Sequence, residues 1–211
     1  MVYYVEDISS VNEETFGRFL RYIPADRIER VHLMRVHTSK IACTVAFLLL
    51  RYALYQEYGF TTMPLLRYED KGKPFLSNYS DIYFNLSHSM KSVACGLSSQ
   101  PIGVDIQYLS SFKPAVAERY MSNFDFSLLD PEEKKREFIR LWCEKESYVK
   151  YLGTGLESMC DDIPEVDGLI RKGIPLDTAH LSYVGREDLN FISVDPQQIL
   201  DILPKLQPKL E

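Results

Sequence analysis

The sequence is poor in cysteine and lacks the spacings that mark a zinc or thiol-redox centre. Its four cysteines lie far apart, and no two form a Cys-x-x-Cys pair. Each falls in an apolar stretch or at the end of a predicted element, where a reduced thiol packs as a small hydrophobic group. Such thiols favour a reducing compartment, and we predict a cytoplasmic location. The cysteines are Cys43, Cys95, Cys143 and Cys160.

Long apolar runs are also missing. The most hydrophobic stretch, residues 41–50, has ten residues, whereas a membrane-spanning helix needs about 20. The first ten residues lack the basic segment and the apolar core of a signal peptide. We therefore expect no membrane association and interpret residues 41–50 as part of a buried helix.

An excess of positive charge is absent. The net charge is −6, which argues against a nucleic-acid partner. The excess of negative charge lies entirely in residues 106–211, which have 13 basic and 19 acidic side chains, whereas residues 1–105 have 11 of each. Residues 18–40 hold a local excess of cations that suits a phosphorylated ligand, although a solvated helix face gives the same pattern. The cations are Arg18, Arg21, Arg27, Arg30, Arg35 and Lys40.

The spacing of apolar residues predicts both helices and strands. Two long helices are predicted, one capped by Thr38 or Ser39 and ending at Gly59, the other beginning near Pro131 and ending at Gly153. Predicted strands cover residues 1–7, 82–86, 92–97, 102–107, 179–184 and 190–194, and shorter helices cover 12–22, 26–35 and 115–121. Residues 197–206 are a short amphipathic segment. Because both halves contain strands and helices, we predict an α+β fold in which an α+β unit is duplicated.

Two pairs of side chains indicate a metal and phosphate site. Asp105 and Gln107 project about 7 Å apart from one face of a strand, so both can reach one cation or its water shell. Glu146 and Lys150 are one helical turn apart, which suits a carboxylate ligand of Mg²⁺ beside a cation that contacts substrate phosphate. The structural alternatives are a surface aspartate that follows Gly103 and an ordinary surface ion pair.

Two polar segments complete the pattern. Residues 85–89 are interpreted as a turn after a strand, whose hydroxyls, imidazole and N–H groups can hold a phosphate. No Gly-x-Ser-x-Gly sequence is present, so these residues do not indicate a hydrolase. Residues 72–74, Gly-Lys-Pro, are typical of a turn. A purely structural turn is the alternative for both segments.

Taken in order, four motifs in residues 70–156 resemble the 4′-phosphopantetheinyl transferases of the larger, monomeric, surfactin-synthetase-activating type. This resemblance implies a pseudo-dimer of two similar α+β halves, residues 1–104 and 105–211, with the active site in the cleft between them. The motifs are Gly72-Lys73-Pro74, Phe84-Asn85-Leu86-Ser87-His88-Ser89, Pro101-Ile102-Gly103-Val104-Asp105-Ile106 and Trp142-Cys143-Glu144-Lys145-Glu146-Ser147-Tyr148-Val149-Lys150.

The resemblance also implies a reaction. The 4′-phosphopantetheine group of coenzyme A would pass to a serine of an apo acyl or peptidyl carrier protein, with release of adenosine 3′,5′-bisphosphate. Asp105 and Glu146, with Gln107, would bind Mg²⁺, and Mn²⁺ is an alternative metal. Glu146 would accept the serine proton, and Lys150 would stabilise the leaving group.

Coenzyme contacts follow from the same motifs. Ser87 and His88 match family residues near the 3′-phosphate, and Lys73 and Pro74 match the segment beside the adenine. The N-terminal cations that complete the 3′-phosphate site cannot be aligned. The candidates are Arg27, Arg30, His37 and Lys40, of which Arg30 and Lys40 are preferred.

Gln107 departs from the family pattern, because relatives of this type carry an acidic residue at this position. A neutral amide predicts weaker Mg²⁺ binding but retained activity. We expect Gln107→Glu to lower the Mg²⁺ concentration that gives half the maximal rate. An unchanged or higher requirement would argue against Gln107 at the metal.

Two other functions fit parts of the sequence. One is a non-catalytic module that binds coenzyme A or a carrier protein. The other is a metal-dependent phosphodiesterase, although the acidic second half disfavours DNA as its substrate. Phe112, Phe124 and Phe126 would anchor a carrier protein if they were exposed, and would form core if they were buried.

Overall fold

Helices and strands are mixed along the chain. The computed structural model describes residues 1–159 and 162–208, so Cys160 lies outside the described residues. The elements are β1 (Val2–Val5), α1 (Glu13–Phe19), α2 (Ala25–Leu33), α3 (His37–Tyr58), β2 (Leu66–Tyr68), β3 (Pro74–Leu76), β4 (Tyr83–Ser89), β5 (Ser92–Ser98), β6 (Ile102–Tyr108), α4 (Pro114–Tyr120), α5 (Pro131–Leu152), β7 (Ile170–Pro175), β8 (Ala179–Gly185), β9 (Phe191–Ser193) and α6 (Pro196–Ile202). The fold is α+β, as predicted.

Two sheets pack against each other. The first sheet has the strand order β4-β5-β1-β9 and the second has the order β6-β8-β7, while β2 and β3 form a separate hairpin. Alternate residues of each strand point to opposite faces. Val2 and Ala94 of the first sheet therefore meet Ile102, Val104 and Ile106 of the second in one apolar layer.

A 22-residue helix covers the outer face of each sheet. Helix α3 packs on the first sheet and is buried from Ile41 to Leu54. Helix α5 packs on β6 and β8 of the second sheet. Each helix ends at a glycine in the left-handed conformation, Gly59 with φ 69° and Gly153 with φ 70°. The structure has four layers, in the order α3, first sheet, second sheet, α5.

Side chains join the two sheets where β4 lies beside β6. The backbone N–H groups of Val104, Ile106 and Tyr108 donate to the side-chain oxygens of Asn85 (2.8 Å), Ser87 (3.3 Å) and Ser89 (3.2 Å). From one bond to the next, the residue number rises by two in both strands, so β4 and β6 run parallel. These bonds satisfy the outer N–H groups of an edge strand. We call this side-chain ladder the seam.

Several predicted elements need correction. Residues 85–89 are the second half of strand β4 and do not form a turn. Helix α3 begins at His37 after Val36, and no side chain caps it, so the cap predicted at Thr38 or Ser39 is wrong. Strands β2, β3 and β7 lie in segments where no strand is predicted from the sequence.

The predicted division into residues 1–104 and 105–211 stays a prediction, as does the pseudo-dimer. Strand β9 pairs in parallel with β1, and Ile199 and Ile202 of α6 lie in the cluster around α3. The end of the chain therefore completes the first sheet and its core. Within the described residues, no helix combines the length and hydrophobicity that a bilayer crossing requires.

Candidate active site

Asp105 lies at the centre of a polar cluster between β4, β6 and α5. Its side chain is fully buried, so the alternative of a surface aspartate is wrong. Oδ1 accepts hydrogen bonds from Ser87 Oγ at 2.7 Å and from Lys150 Nζ at 2.5 Å. Oδ2 accepts from Gln107 Nε2 at 2.9 Å. A buried carboxylate needs such donors, because burial without partners costs several kcal/mol, on the order of 3–5 when one partner of a buried pair is removed.

Glu146 faces Asp105 from helix α5. Its Oε2 lies 3.8 Å from Lys150 Nζ and 3.5 Å from Gln107 Nε2. Burial and the charge of Asp105 raise the pKa of Glu146 to about 7, while Lys150 and a hydrogen bond from Trp142 act in the opposite direction. A carboxylate with a pKa near neutrality can exchange protons at physiological pH.

The ammonium group of Lys150 contacts the carboxylates of both Asp105 and Glu146. Burial alone would lower its pKa, but Asp105 and Glu146 outweigh burial and hold the pKa of Lys150 above its ordinary value. Its Nζ also lies 2.9 Å from Ser87 Oγ. The Glu146–Lys150 pair is therefore part of a buried network, which excludes the alternative of an ordinary surface ion pair.

Ser87 and His88 leave strand β4 on opposite sides. Ser87 joins the carboxylate cluster, whereas His88 faces cations of helix α2. Burial, Lys150, Arg30 and Arg27, in that order, lower the pKa of His88. Lys40, in the first turn of α3, is not among the charges that shift His88. Of the two preferred N-terminal cations, Arg30 affects the pKa of His88, and so does Arg27.

Arg27 is buried without a carboxylate partner in any described contact. Its guanidinium lies 4.7 Å from the centre of the Phe47 ring, and its Nε has no hydrogen-bond partner. A buried guanidinium nitrogen without a hydrogen-bond partner is costly. Arg27 and Arg30 lie one turn apart on α2, so the two cations are near each other.

A cavity of about 360 Å³ opens onto this cluster. It is lined by Lys73, Pro74, Asn85, Glu146 and Lys150, among others. A second cavity, of about 790 Å³, lies on the other side of the Lys73–Pro74 segment and is walled by aromatic side chains such as Phe75 and Tyr83. The predicted placement of Lys73 and Pro74 beside an adenine stays a prediction, but both residues do border the site.

The donor set fits Mg²⁺ better than zinc. No cluster of three His, Cys, Asp or Glu side chains placed to hold a metal occurs in residues 1–159 and 162–208. The two facing carboxylates of Asp105 and Glu146, with the amide of Gln107, are hard oxygen ligands. Mg²⁺ commonly takes one or two carboxylates and completes its shell with water and substrate phosphate.

The structure adds residues that the sequence analysis did not assign. Asn85 and Ser89 hold β6 in place through the seam, and Trp142 bonds to Glu146. In the sequence, these three residues are distinguished from other polar and aromatic residues only because they lie within the motifs. Phe126 is buried, and Phe112 and Phe124 are half-buried against it, so these rings belong to a core cluster.

Comparisons with known proteins point to one family. The model of the 4′-phosphopantetheinyl transferase superfamily matches residues 101–173, which include Asp105, Glu146 and Lys150. The 4′-phosphopantetheinyl transferase Sfp of Bacillus subtilis (strain 168) is 28% identical over 155 residues, covering 72% of this chain and 69% of that protein.

Further relatives carry the same description. The 4′-phosphopantetheinyl transferase gsp of Aneurinibacillus migulanus is 31% identical over 152 residues, 70% of this chain and 58% of that protein. The 4′-phosphopantetheinyl transferase AcpT of Escherichia coli (strain K12) is 32% identical over 105 residues, 46% of this chain and 52% of that protein. The chain is therefore similar to the 4′-phosphopantetheinyl transferases, and to their Sfp-like members in particular.

Proposed function

We propose that this chain transfers the 4′-phosphopantetheine group of coenzyme A to a serine of an apo acyl or peptidyl carrier protein. The observation that carries the proposal is the network in which buried Ser87 and Asp105 meet half-buried Glu146 and Lys150 at the edge of a cavity. The two carboxylates can bind a metal ion, and the ammonium group can bind the diphosphate that the metal ion holds. The other product is adenosine 3′,5′-bisphosphate.

Asp105 and Glu146 would hold Mg²⁺, with Gln107 beside them, and Mn²⁺ is an alternative. The bound metal supplies neutralisation of the coenzyme diphosphate and of the charge that develops on it. Lys150 and the Gln107 amide contact both carboxylates in the structure. The same two carboxylates are then available to a cation of higher charge.

Glu146 accepts the proton of the carrier serine. The serine oxygen forms a bond to the β-phosphorus of coenzyme A, and the bond from that phosphorus to the bridging oxygen breaks. The bridging oxygen leaves on adenosine 3′,5′-bisphosphate. Lys150 neutralises the negative charge on that leaving group, which suits a compact ammonium.

The 3′-phosphate of coenzyme A binds Arg27, Arg30 and His88. Arginine guanidinium groups bind phosphate through charge-assisted hydrogen bonds. A phosphate there gives Arg27 the anionic partner that the described contacts lack. Lys40 remains a second candidate for this site, with less support because it does not act on His88.

The experiment is intact-mass analysis of purified apo acyl and peptidyl carrier proteins after incubation with the protein, coenzyme A and Mg²⁺. We expect a gain of one phosphopantetheine, and we expect EDTA to abolish it. Glu146→Gln should also abolish it. The matched control is Glu144→Gln on the same helix, because Glu144 pairs with Arg140 and Arg171 outside the cluster.

Three results would contradict the proposal. Calorimetric binding of coenzyme A without transfer to any carrier protein would favour a non-catalytic binding module. Absence of both transfer and binding would exclude coenzyme A as the ligand. Cleavage of plasmid DNA without coenzyme A would favour the phosphodiesterase.

A further inference from the structure

Lys73 stands in the Gly-Lys-Pro motif that borders the site, yet its ammonium group points away from the carboxylate cluster. Nζ donates to the backbone carbonyl of Tyr151 at 3.0 Å and to that of Ile102 at 3.3 Å. Burial lowers the pKa of Lys73, and Glu69 partly opposes this effect. Both recorded hydrogen bonds of this ammonium go to backbone carbonyls.

The two carbonyls belong to the elements that carry the chemistry. Tyr151 is in the last turn of α5, where carbonyl groups have no partner within the helix and attract cations. Ile102 is the first residue of β6. Helix α5 supplies Glu146 and Lys150, and β6 supplies Asp105, so the Lys73 side chain ties together the two elements that carry these groups.

The packing nearby leaves little freedom for this contact. A Cβ at Gly153 would lie 3.3 Å from Lys73 Cδ, so the lysine stem runs along the glycine that ends α5. A Cβ at Gly103 would overlap the Ser147 carbonyl and the Tyr151 amide of α5. Helix and strand are thus in direct backbone contact one residue from the Ile102 carbonyl that Lys73 holds.

We propose that Lys73 is a positioning residue, which sets the distance between Glu146 on α5 and Asp105 on β6, and that its ammonium does not bind coenzyme A. This inference rests on the proposed function for its kinetic test. The predicted placement of residues 73 and 74 beside the adenine does not depend on the ammonium group.

The kinetic test compares Lys73→Met, which removes the donors and keeps the length of the side chain, with the parent protein. We expect kcat to fall about tenfold or more, the effect of about 1.4 kcal/mol, while KM for coenzyme A changes less than about twofold. Lys73→Arg keeps the charge and the donors and should restore most of kcat. The matched control is Lys71→Met, because Lys71 is an exposed lysine of the same turn.

The opposite result overturns the inference. A large rise of KM for coenzyme A in Lys73→Met with an unchanged kcat would show that the ammonium binds the coenzyme. Unchanged values of both constants would show that it does neither. Should Lys73→Met not fold, the same comparison is made with Lys73→Gln, whose shorter, neutral side chain should lower kcat and not raise KM.

Hydrogen exchange tests the contact without any turnover. Loss of the Lys73 donors should speed exchange of the amides in residues 149–153 by about tenfold, because the last turn of α5 then opens locally. Lys71→Met should leave these amides unchanged. Equal protection in the parent and in Lys73→Met would overturn the inference. A parent protein that transfers nothing contradicts the proposed function instead, and the exchange result still decides the role of Lys73.

Discussion

Glu146 holds a proton at pH values where most glutamates are ionised. Its ordinary pKa is 4.5, and burial followed by the charge of Asp105 raises the pKa to about 7. Between these values the folded protein binds a proton at Glu146 that the unfolded chain does not. Stability of the metal-free protein therefore falls as the pH rises through this window.

Melting curves in EDTA between pH 4.5 and 8 check this effect. We expect Glu146→Gln to lose the part of the pH dependence that lies between 4.5 and 7, and Glu144→Gln to retain it. Mg²⁺ competes with the proton, so its affinity should rise with pH up to about 7 and level off above it. A metal affinity that is flat from pH 5 to 8 would exclude Glu146 as a ligand.

Arg27 and Arg30 make a separate prediction about the coenzyme. Removing a charge-assisted hydrogen bond costs about 1.5–3 kcal/mol. We therefore expect Arg30→Gln and Arg27→Met to raise KM for coenzyme A at least about tenfold, with little effect on 3′-dephospho-coenzyme A. Arg35→Gln is the control, and Lys40→Gln tests the remaining candidate. Equal effects on both substrates would exclude a 3′-phosphate contact.

The placement of single residues on their elements was easier to predict than their environment. The strand alternation placed Asp105 and Gln107 on one face, and the helical spacing paired Glu146 with Lys150, as the structure has them. The burial of Asp105 was not predictable, because it depends on α5 and β4 covering the strand from two directions. Arg27 could not be separated from its neighbours, since the ring of Phe47 that holds it lies on another helix.

Between elements, the close approach of α5 to β6 depends on Gly103. A side chain at this position would overlap the backbone of α5 at Ser147 and Tyr151, so the helix would have to move. We expect Gly103→Ala to destabilise the protein by about 1–3 kcal/mol and to reduce kcat, because the helix that moves carries Glu146.

Gly17→Ala is the matched control for this substitution. Gly17 lies in helix α1 with nothing within 4 Å of an added Cβ, so alanine there should stabilise by about 0.5–1 kcal/mol. Chemical denaturation of both variants, with parallel transfer assays, measures the two effects. Normal stability and kcat in Gly103→Ala would contradict the close approach.

Element boundaries were predictable where local chemistry decides them. Pro131 in the first turn and Gly153 at the end of α5 follow the rules for helix termini. The polar residues 85–89 resembled a turn because Asn, Ser and His are common there. They extend as a strand because they pair with β5 and because the side-chain oxygens of Asn85, Ser87 and Ser89 accept hydrogen bonds from β6. No local pattern reveals either partner.

On the scale of the whole molecule, the two ends of the chain meet. The N–H of Val2 donates to the carbonyl of Asn190, and the N–H of Val194 donates to the carbonyl of Tyr4, both at 2.8 Å. Helix α6 then packs into the cluster around α3. The predicted half of residues 1–104 therefore lacks part of its own sheet and core.

Separate expression of the two predicted halves checks this dependence. We expect residues 1–104 alone to lack a cooperative thermal transition, because removal of β9 and α6 exposes apolar surface on α3. Fusion of residues 189–208 to that fragment should restore the transition. Cooperative unfolding of the unfused fragment would show that it is an independent domain.

The overall class was predictable because both helical and strand periodicity are strong in this sequence. The order of the strands was not, since it depends on long-range pairing between β1, β5 and β9. Strand β7 was missed because its sequence, Ile-Arg-Lys-Gly-Ile-Pro, contains glycine, proline and two cations. These residues suit the edge of a sheet, where they discourage pairing with another chain.

The seam between β4 and β6 also restricts the register of the two sheets to shifts of two residues. Its bonds repeat every two residues, so a shift of one residue would leave the outer N–H groups of β6 opposite the wrong side chains. A shift of two residues, about 6.6 Å, would restore bonds but carry Ser87 away from Asp105. No small translation satisfies both conditions. The carboxylate cluster therefore exists in one register alone, and sliding between the sheets cannot tune it gradually.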